Sequence, residues 1–402
     1  MGRSGFEAYK EGEEMDREIY FDNSATTRPY NEVIDYIYEL NKNVYGNPSS
    51  MHTKGLEAER HIKNAREAVA KSLGAENQEI FFTSGGTEAN NLAILGFLEA
   101  NPRKGKHVIT TKIEHPSVLE VYKLLVERGY KVDFLDVDDK GIINLQSLKD
   151  SINGDTALIS IIYVNNEVGT VQPINEIVEV KNSKNRETAI HIDAVQAYGK
   201  IKITPKKLGI DLMSMSSHKI HGPKGAGALY ARKGLKIKPI FLGGGQEATM
   251  RSGTENVSGI CGFGMAADIT CKKLDENYEK CRSIKEHFIT RLEKELADDM
   301  FIVSPQESSP YILNVSFSNI RAEVLLHHLE MENIFVSTGS ACSSRKNTHS
   351  HVLKAIGLKP ERIDGAIRFS FSAFNTINEI DETIDALKNI LPKINIKRGG
   401  KR

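Results

Sequence analysis

The amino-acid sequence predicts an α/β protein: a mainly parallel β-sheet covered by helices, joined to a smaller α+β domain. Three observations carry this. Short β-branched runs alternate with longer segments of helical period from about residue 30 to about residue 270, the pattern of repeated βαβ units. At 402 residues the chain exceeds the roughly 150 residues of one common domain. Beyond about residue 300 the order changes, and strand-like runs flank single helices, as in an α+β unit.

The expected strands of the first unit are EIFFT from Glu79 to Thr83, HVITTK from His107 to Lys112 and KVDFL from Lys131 to Leu135. They continue with ALISIIY from Ala157 to Tyr163, AIHID from Ala189 to Asp193, LMSMS from Leu212 to Ser216 and GALYA from Gly227 to Ala231. Helical period fills the gaps at Glu88 to Glu99, Pro116 to Glu127 and Ile174 to Lys184. From Ile260 to Ala297 one or two long amphipathic helices rich in Lys and Glu lead out of the core. Strands Tyr311 to Phe317 and Ala366 to Ser372 then flank a helix at Ala322 to Glu330, and a last helix at Glu379 to Leu391 takes Asn378 as its N-cap. The expected division is a large domain over residues 29–271, and a small domain made of residues 1–28 with 272–402.

Lys plus Arg equal Asp plus Glu at 53 each, so no global field draws the protein to nucleic acid or to an acidic membrane. The longest apolar stretch, Ala157 to Val164, is broken by Ser160 and Tyr163 and falls far short of the roughly 20 residues that cross a bilayer. The first 18 residues lack the basic and apolar regions of a secretory signal. Four cysteines without a CxxC pair or a zinc-spaced His pair argue against a disulfide framework or a metal site. A cytoplasmic protein without a direct nucleic-acid, membrane or metal partner is expected. The basic ending KINIKRGGKR reads as a solvated tail.

In open α/β sheets ligands bind beyond the carboxyl ends of the strands, and the residues found there are chemically pointed. After Glu79 to Thr83 comes SGGTEANN, where Gly85 and Gly86 permit a tight turn and Thr87 and Glu88 open a helix; its free N–H groups suit a phosphate. Next come Glu114-His115-Pro116, Asn165-Asn166-Glu167, and Asp193 with Gln196. Singly, each has a plain structural reading, with His115 opening a helix, Asn166 in a turn and Asp193 as a cap. The fifth strand end carries Ser216-Ser217-His218-Lys219 before the glycine-rich stretch His221 to Gly227. A lysine at a strand end with hydroxyl and imidazole neighbours for phosphate is what an internal Schiff base to pyridoxal 5′-phosphate requires. Asp193 would pair with the pyridinium nitrogen, and His115 would lie against the ring face.

Ten segments then occur in one order: DNSATT at 22–27, GNPSSMH at 46–52, SGGTEANN at 84–91, EHPSV at 114–118 and VNNEVG at 164–169; HIDAVQ at 191–196, SSHKIHGPKGAGALY at 216–230, RSGT at 251–254, STGSACSS at 337–344 and IRFSF at 367–371. Together they resemble the cysteine desulfurases of class V aminotransferase fold (fold type I of the pyridoxal-phosphate enzymes), from about Ile19 to Leu391. The resemblance implies Lys219 as the Schiff-base lysine, Asp193 on the pyridine nitrogen, Gln196 on the ring hydroxyl, and His115 as stacking residue and acid/base. It implies phosphate contacts from Thr87 at the Gly86 turn, from Ser216 and His218, and from Thr254 of a second subunit, hence a homodimer. Asn166 and Arg368 would hold the substrate, with Arg368 bidentate on its carboxylate.

Cys342 sits among small and polar residues, Thr338 to Asn347, with Arg345 and Lys346 able to favour a thiolate. Cys261, Cys271 and Cys281 fall in the helical stretch and read as packing residues. The resemblance then implies conversion of L-cysteine to L-alanine with a persulfide on Cys342, passed to an acceptor protein such as an iron–sulfur scaffold or a tRNA 4-thiouridine synthase. Two other readings stay open: a selenocysteine or cystine lyase, or other class V enzyme, in which Cys342 is incidental, and a catalytically silent sulfur-relay subunit. The Cys342 segment speaks against the first, and the Lys219, Asp193 and His115 set against the second.

Overall fold

A computed structural model describes residues 18–338 and 349–395; the first 17 residues, the Cys342 segment and most of the basic tail lie outside the described residues. Seven strands form the main sheet, in the spatial order Ile80–Thr83, Gly227–Ala231, Leu212–Ser216, Ala189–Asp193, Thr156–Ile162, His107–Thr111, Lys131–Leu135. Neighbours are parallel except around Gly227–Ala231, which runs against both of its partners. The mainly parallel sheet expected from the sequence is present. Its central strands are buried along their whole length, as a sheet covered on both faces requires.

Side chains alternate across the sheet, so each strand feeds two cores. Val108, Leu158, Leu212 and Leu229 pack on one face with Leu92, Phe97 and Tyr122. Ile109, Ile159, Met213 and Ala228 pack on the other with Val69, Tyr198 and Phe263, and that core continues to Phe288, Ile312, Phe369 and Leu387. Helices Thr53–Leu73 and Val257–Lys272 cross closely on this face. Gly264 permits the crossing, since a Cβ there would lie 2.6 Å from the Ala65 Cα.

The second sheet is antiparallel and four-stranded: Ser337–Thr338, Ala366–Ser370, Ile312–Phe317, Met300–Ile302. The segment at residues 19–24 lies with it. Ile19–Tyr20 pairs with Ile334–Phe335, and Phe21 meets Phe288, Phe369 and Phe371 ring to ring. No helix among the described residues is long and apolar enough to cross a membrane.

Local differences have local causes. The long stretch from Ile260 divides at Lys273 into helices Val257–Lys272 and Leu274–Glu295. The final helix spans Ile377–Ile394, and Thr376, not Asn378, is its N-cap. Glu379 stands three residues after Thr376 and closes a capping box, which satisfies two backbone N–H groups where a cap at Asn378 offers one. Asn378 lies inside the helix and donates to Glu382. The helix expected at Glu88 opens earlier, at Gly86, and passes through a π-helical stretch at Leu92–Gly96.

Candidate active site

The carboxyl ends of five strands converge on a cavity of about 380 Å³. Gly86, Thr87, His115, Asn166 and Asp193 line it, together with Gln196, Ser216, His218, Lys219 and Arg368. Ten sequence-predicted residues from six separate segments thus meet at one place. Thr254 does not line this cavity; it borders a second one of about 110 Å³ with Ser84, Glu247 and Arg251. Cys342 lies outside the described residues, and the first residues described after it include Ser350 and His351, which line the main cavity.

Strand Leu212–Ser216 ends in a single 3₁₀ turn, Ser217–Lys219, which carries the lysine to the cavity. Lys219 Nζ donates to the backbone carbonyls of Ser24 and Ala25, each at 2.6 Å. Asp193 ends the central strand, and its carboxylate accepts from Asn90 Nδ2 at 2.8 Å and from the Val195 N–H at 3.0 Å. Asn90 Nδ2 also donates to Ser117 Oγ at 2.9 Å, and Ser117 Oγ lies 2.8 Å from His115 Nδ1. Because the Ser117 N–H donates to Nδ1, the neutral His115 ring carries its proton on Nε2. Burial lowers the proton affinity of His115, Asp193 opposes this, and Lys219 and His351 add to it.

At the opposite wall Gly85 and Gly86 clear a cradle at a helix N-terminus. Gly85 has φ 156° and ψ −177°, and a Cβ on Gly86 would meet Val195 Cγ2 at 2.6 Å. His218 faces Thr26 Oγ1 at 3.1 Å and is pushed down to about 4, first by burial and then by Lys219, so its ring is neutral. Arg368, only 4% exposed, donates from Nη1 to the Asn166 carbonyl at 3.0 Å and from Nη2 to Asp22 Oδ1 at 2.8 Å.

The Aminotransferase class-V family model matches residues 19–383. A Dictyoglomus turgidum protein named cysteine desulfurase IscS is 43% identical over 94% of this chain and 96% of its own. The chain belongs to the cysteine desulfurases of the class-V aminotransferase family. Among solved structures, a NifS-like protein superposes with TM-score 0.89 at 40% identity, covering 94% of this chain and 100% of its own. SspA in complex with cysteine superposes with TM-score 0.78 at 34% identity, covering 89% and 100%.

Class-V cysteine desulfurases use pyridoxal 5′-phosphate. The residues present fit that group. The glycine cradle, with Thr87, Ser216 and His218 beside it, is a donor set for a phosphate. Three atoms on cavity-lining residues, Ser24 Oγ, Asn90 Oδ1 and Arg368 Nε, are buried without a hydrogen-bond partner, as expected where a polar ligand completes the hydrogen bonding.

Several residues around this desulfurase cavity were not singled out as site residues from the sequence. Asn90 and Ser117 lie inside quoted segments, and Asn90 falls four residues after Gly86, on the same helix face, which is a usable signal. Asp22 also lies in a quoted segment, but its partner Arg368 is distant in sequence, and Ser350 and His351 had no signal at all for the same reason. Glu167, pushed up to about 7 by burial, accepts from Ser350 Oγ at 2.5 Å, and His351 Nε2 donates to the Glu114 carbonyl at 2.9 Å.

Glu114 sits one residue before His115 with no exposed surface. Burial pushes its carboxyl up to about 8, the Thr111 hydroxyl at 2.6 Å works against this, and Asp193 adds to it. The unfolded chain ionises Glu114 near 4.5, so the stability it contributes is full below that pH and is lost as pH rises through about 8. Glu114→Gln removes this loss. Thermal unfolding at about pH 5 and about pH 8 should show the variant gaining on wild type by about 2–4 kcal/mol at the higher pH. An equal slope in both proteins would contradict a protonated Glu114.

Proposed function

We propose that this desulfurase converts L-cysteine to L-alanine with Lys219, His115 and Cys342 as its catalytic residues, and passes the sulfur on from Cys342. The observation that carries the reading is the meeting of Lys219, Asp193, His115 and Arg368 around one cavity, although they are far apart in the chain. When bound, pyridoxal phosphate supplies an electron sink that eases bond breaking at the substrate's α- and β-carbons. Gly86, Thr87, Ser216 and His218 would hold its phosphate, Asp193 its ring nitrogen, Gln196 its ring oxygen and Asn166 its substrate-facing side. Asn90 and the Val195 N–H keep the Asp193 carboxylate oriented, and Ser117 keeps the His115 proton on Nε2.

Lys219, held by two carbonyls, takes up and returns a proton at Nζ, and neutral His115 does so at its ring. Arg368 binds the substrate carboxylate as a fork, with Asp22 and the Asn166 carbonyl fixing its plane. Cys342, as thiolate, attacks the substrate sulfur; the carbon–sulfur bond breaks, a sulfur–sulfur bond forms, and protons delivered to the carbon skeleton leave alanine. Thr254, which lies away from the cavity, would serve the phosphate of a second copy, in a homodimer with large domains over residues 29–271. The acceptor of the Cys342 sulfur would be an iron–sulfur scaffold or a tRNA 4-thiouridine synthase, and the compartment the cytoplasm.

The test is direct: purified protein with pyridoxal phosphate, L-cysteine and a thiol reductant should release alanine and sulfide in equal amounts. No alanine would overturn the reading. In the same assay Arg368→Lys should raise KM about 30- to 100-fold with a smaller change in kcat, because a point-charge ammonium cannot make the two parallel contacts of a guanidinium. An unchanged KM would remove Arg368 from substrate binding.

A further inference from the structure

Behind the cavity lies a lysine that the mechanism above does not use. Lys200 stands four residues after Gln196, is 6% exposed, and donates from Nζ to Gln196 Oε1 at 2.9 Å. Gln196 in turn donates from Nε2 to the Ser24 carbonyl at 2.9 Å, the same oxygen that holds Lys219 Nζ at 2.6 Å. Lys200 does not line the main cavity; it lines a small one with Lys219, Tyr311 and Phe371.

Both partners of the Gln196 amide are one-way groups. A lysine nitrogen carries N–H donors that the amide nitrogen cannot accept, and a backbone carbonyl only accepts. The amide is therefore set with its oxygen toward Lys200 and its NH₂ toward Ser24, on the side that lines the cavity. One of the two N–H bonds is used on Ser24, and the second is left for a ligand. We propose that Lys200 is a positioning residue for the cofactor: by pinning Gln196 Oε1 it makes Gln196 meet the ring oxygen of pyridoxal phosphate as a donor, which selects the deprotonated oxygen. The inference rests on the reading of Gln196 as a cofactor contact.

The surroundings of Lys200 fit this role. Its nitrogen faces Lys219 and Arg368 as cations, Cys281 as a thiol, and the Tyr311 ring at 5.6 Å. Burial, then Lys219, push it down to about 7, Cys281 works against this, and Arg368 adds a smaller push downward. As an ammonium Lys200 only donates, and as an amine it still offers an N–H to Gln196 Oε1 while the Ser24 carbonyl holds the NH₂ side, so the amide keeps its orientation on either side of neutrality.

The experiment is a double-mutant cycle on the purified chain, read as the dissociation constant and the visible absorption of bound pyridoxal phosphate. Lys200→Met should weaken cofactor binding about tenfold and shift the absorption band, and Lys200→Arg, which keeps a donor, should stay within about threefold of wild type. In a Gln196→Ala background Lys200→Met should change the dissociation constant by less than about twofold. Equal losses on both backgrounds, or a Lys200→Met protein like wild type, would overturn the inference. If Lys200→Met does not fold, as judged by thermal unfolding of the cofactor-free form, Lys200→Leu, which also removes the donor, takes its place with the same expected coupling. A wild-type chain that takes up no pyridoxal phosphate sinks the proposed function together with this inference, whereas normal uptake with additive losses sinks this inference alone.

Discussion

Lys219→Ala is expected to lower alanine release from L-cysteine by at least about 10⁴-fold, a barrier increase of about 5 kcal/mol. The lysine closes the 3₁₀ turn that ends strand Leu212–Ser216 at the cavity, and its Nζ donates to two backbone carbonyls. With the roles proposed for Lys219, alanine there would remove the covalent anchor and the proton carrier together, so the loss would be larger than for either role alone. Borohydride reduction of the wild-type holoenzyme, followed by peptide mapping, should place a pyridoxyl mass on Lys219. The mass on Lys224 or Lys200, or substantial turnover by Lys219→Ala, would refute the assignment.

Cys342→Ser should cut alanine and sulfide release by about 10³-fold or more, while addition of L-cysteine still changes the cofactor absorption. A serine hydroxyl does not ionise near neutral pH, so no persulfide forms on residue 342. The contacts of Lys219 with the Ser24 and Ala25 carbonyls, of Asp193 with Asn90 and of His115 with Ser117 involve no atom of residue 342 and stay in the variant. The split between preserved spectral change and lost turnover separates a desulfurase, which needs the thiol, from a lyase, which expels sulfur or selenium without it. Near-normal alanine release by Cys342→Ser would overturn the persulfide route.

Much of the scaffold was legible because it is written in local pattern. Strand Ala189–Asp193, helix Pro116–Glu127 and helix Ala322–Glu330 fall at the predicted residues, since burial on both faces or on one stripe leaves its period in the sequence. The cap of the last helix was misplaced from Thr376 to Asn378, because both residue types cap and only the Glu379 spacing separates them. Cys261 and Cys281 are buried in helices, where their thiols are pushed up to about 12 by burial, in keeping with packing roles.

By itself the sequence determined the chain order of the seven main-sheet strands and which chemical groups stand at their ends, because backbone period and turn chemistry act over a few residues. Only the tertiary structure decided what those groups do to one another. Asn90 meets Asp193 across 103 residues of chain, and Arg368 meets Asp22 across 346. Lys200, Glu114 and Glu167 read as ordinary charged residues in the sequence, and each is shifted from its usual ionisation by enclosure. The physical reason is that the free energy of a buried charge depends on the solvent it loses and the dipoles it gains, and both are supplied by segments that packing, not sequence proximity, brings together.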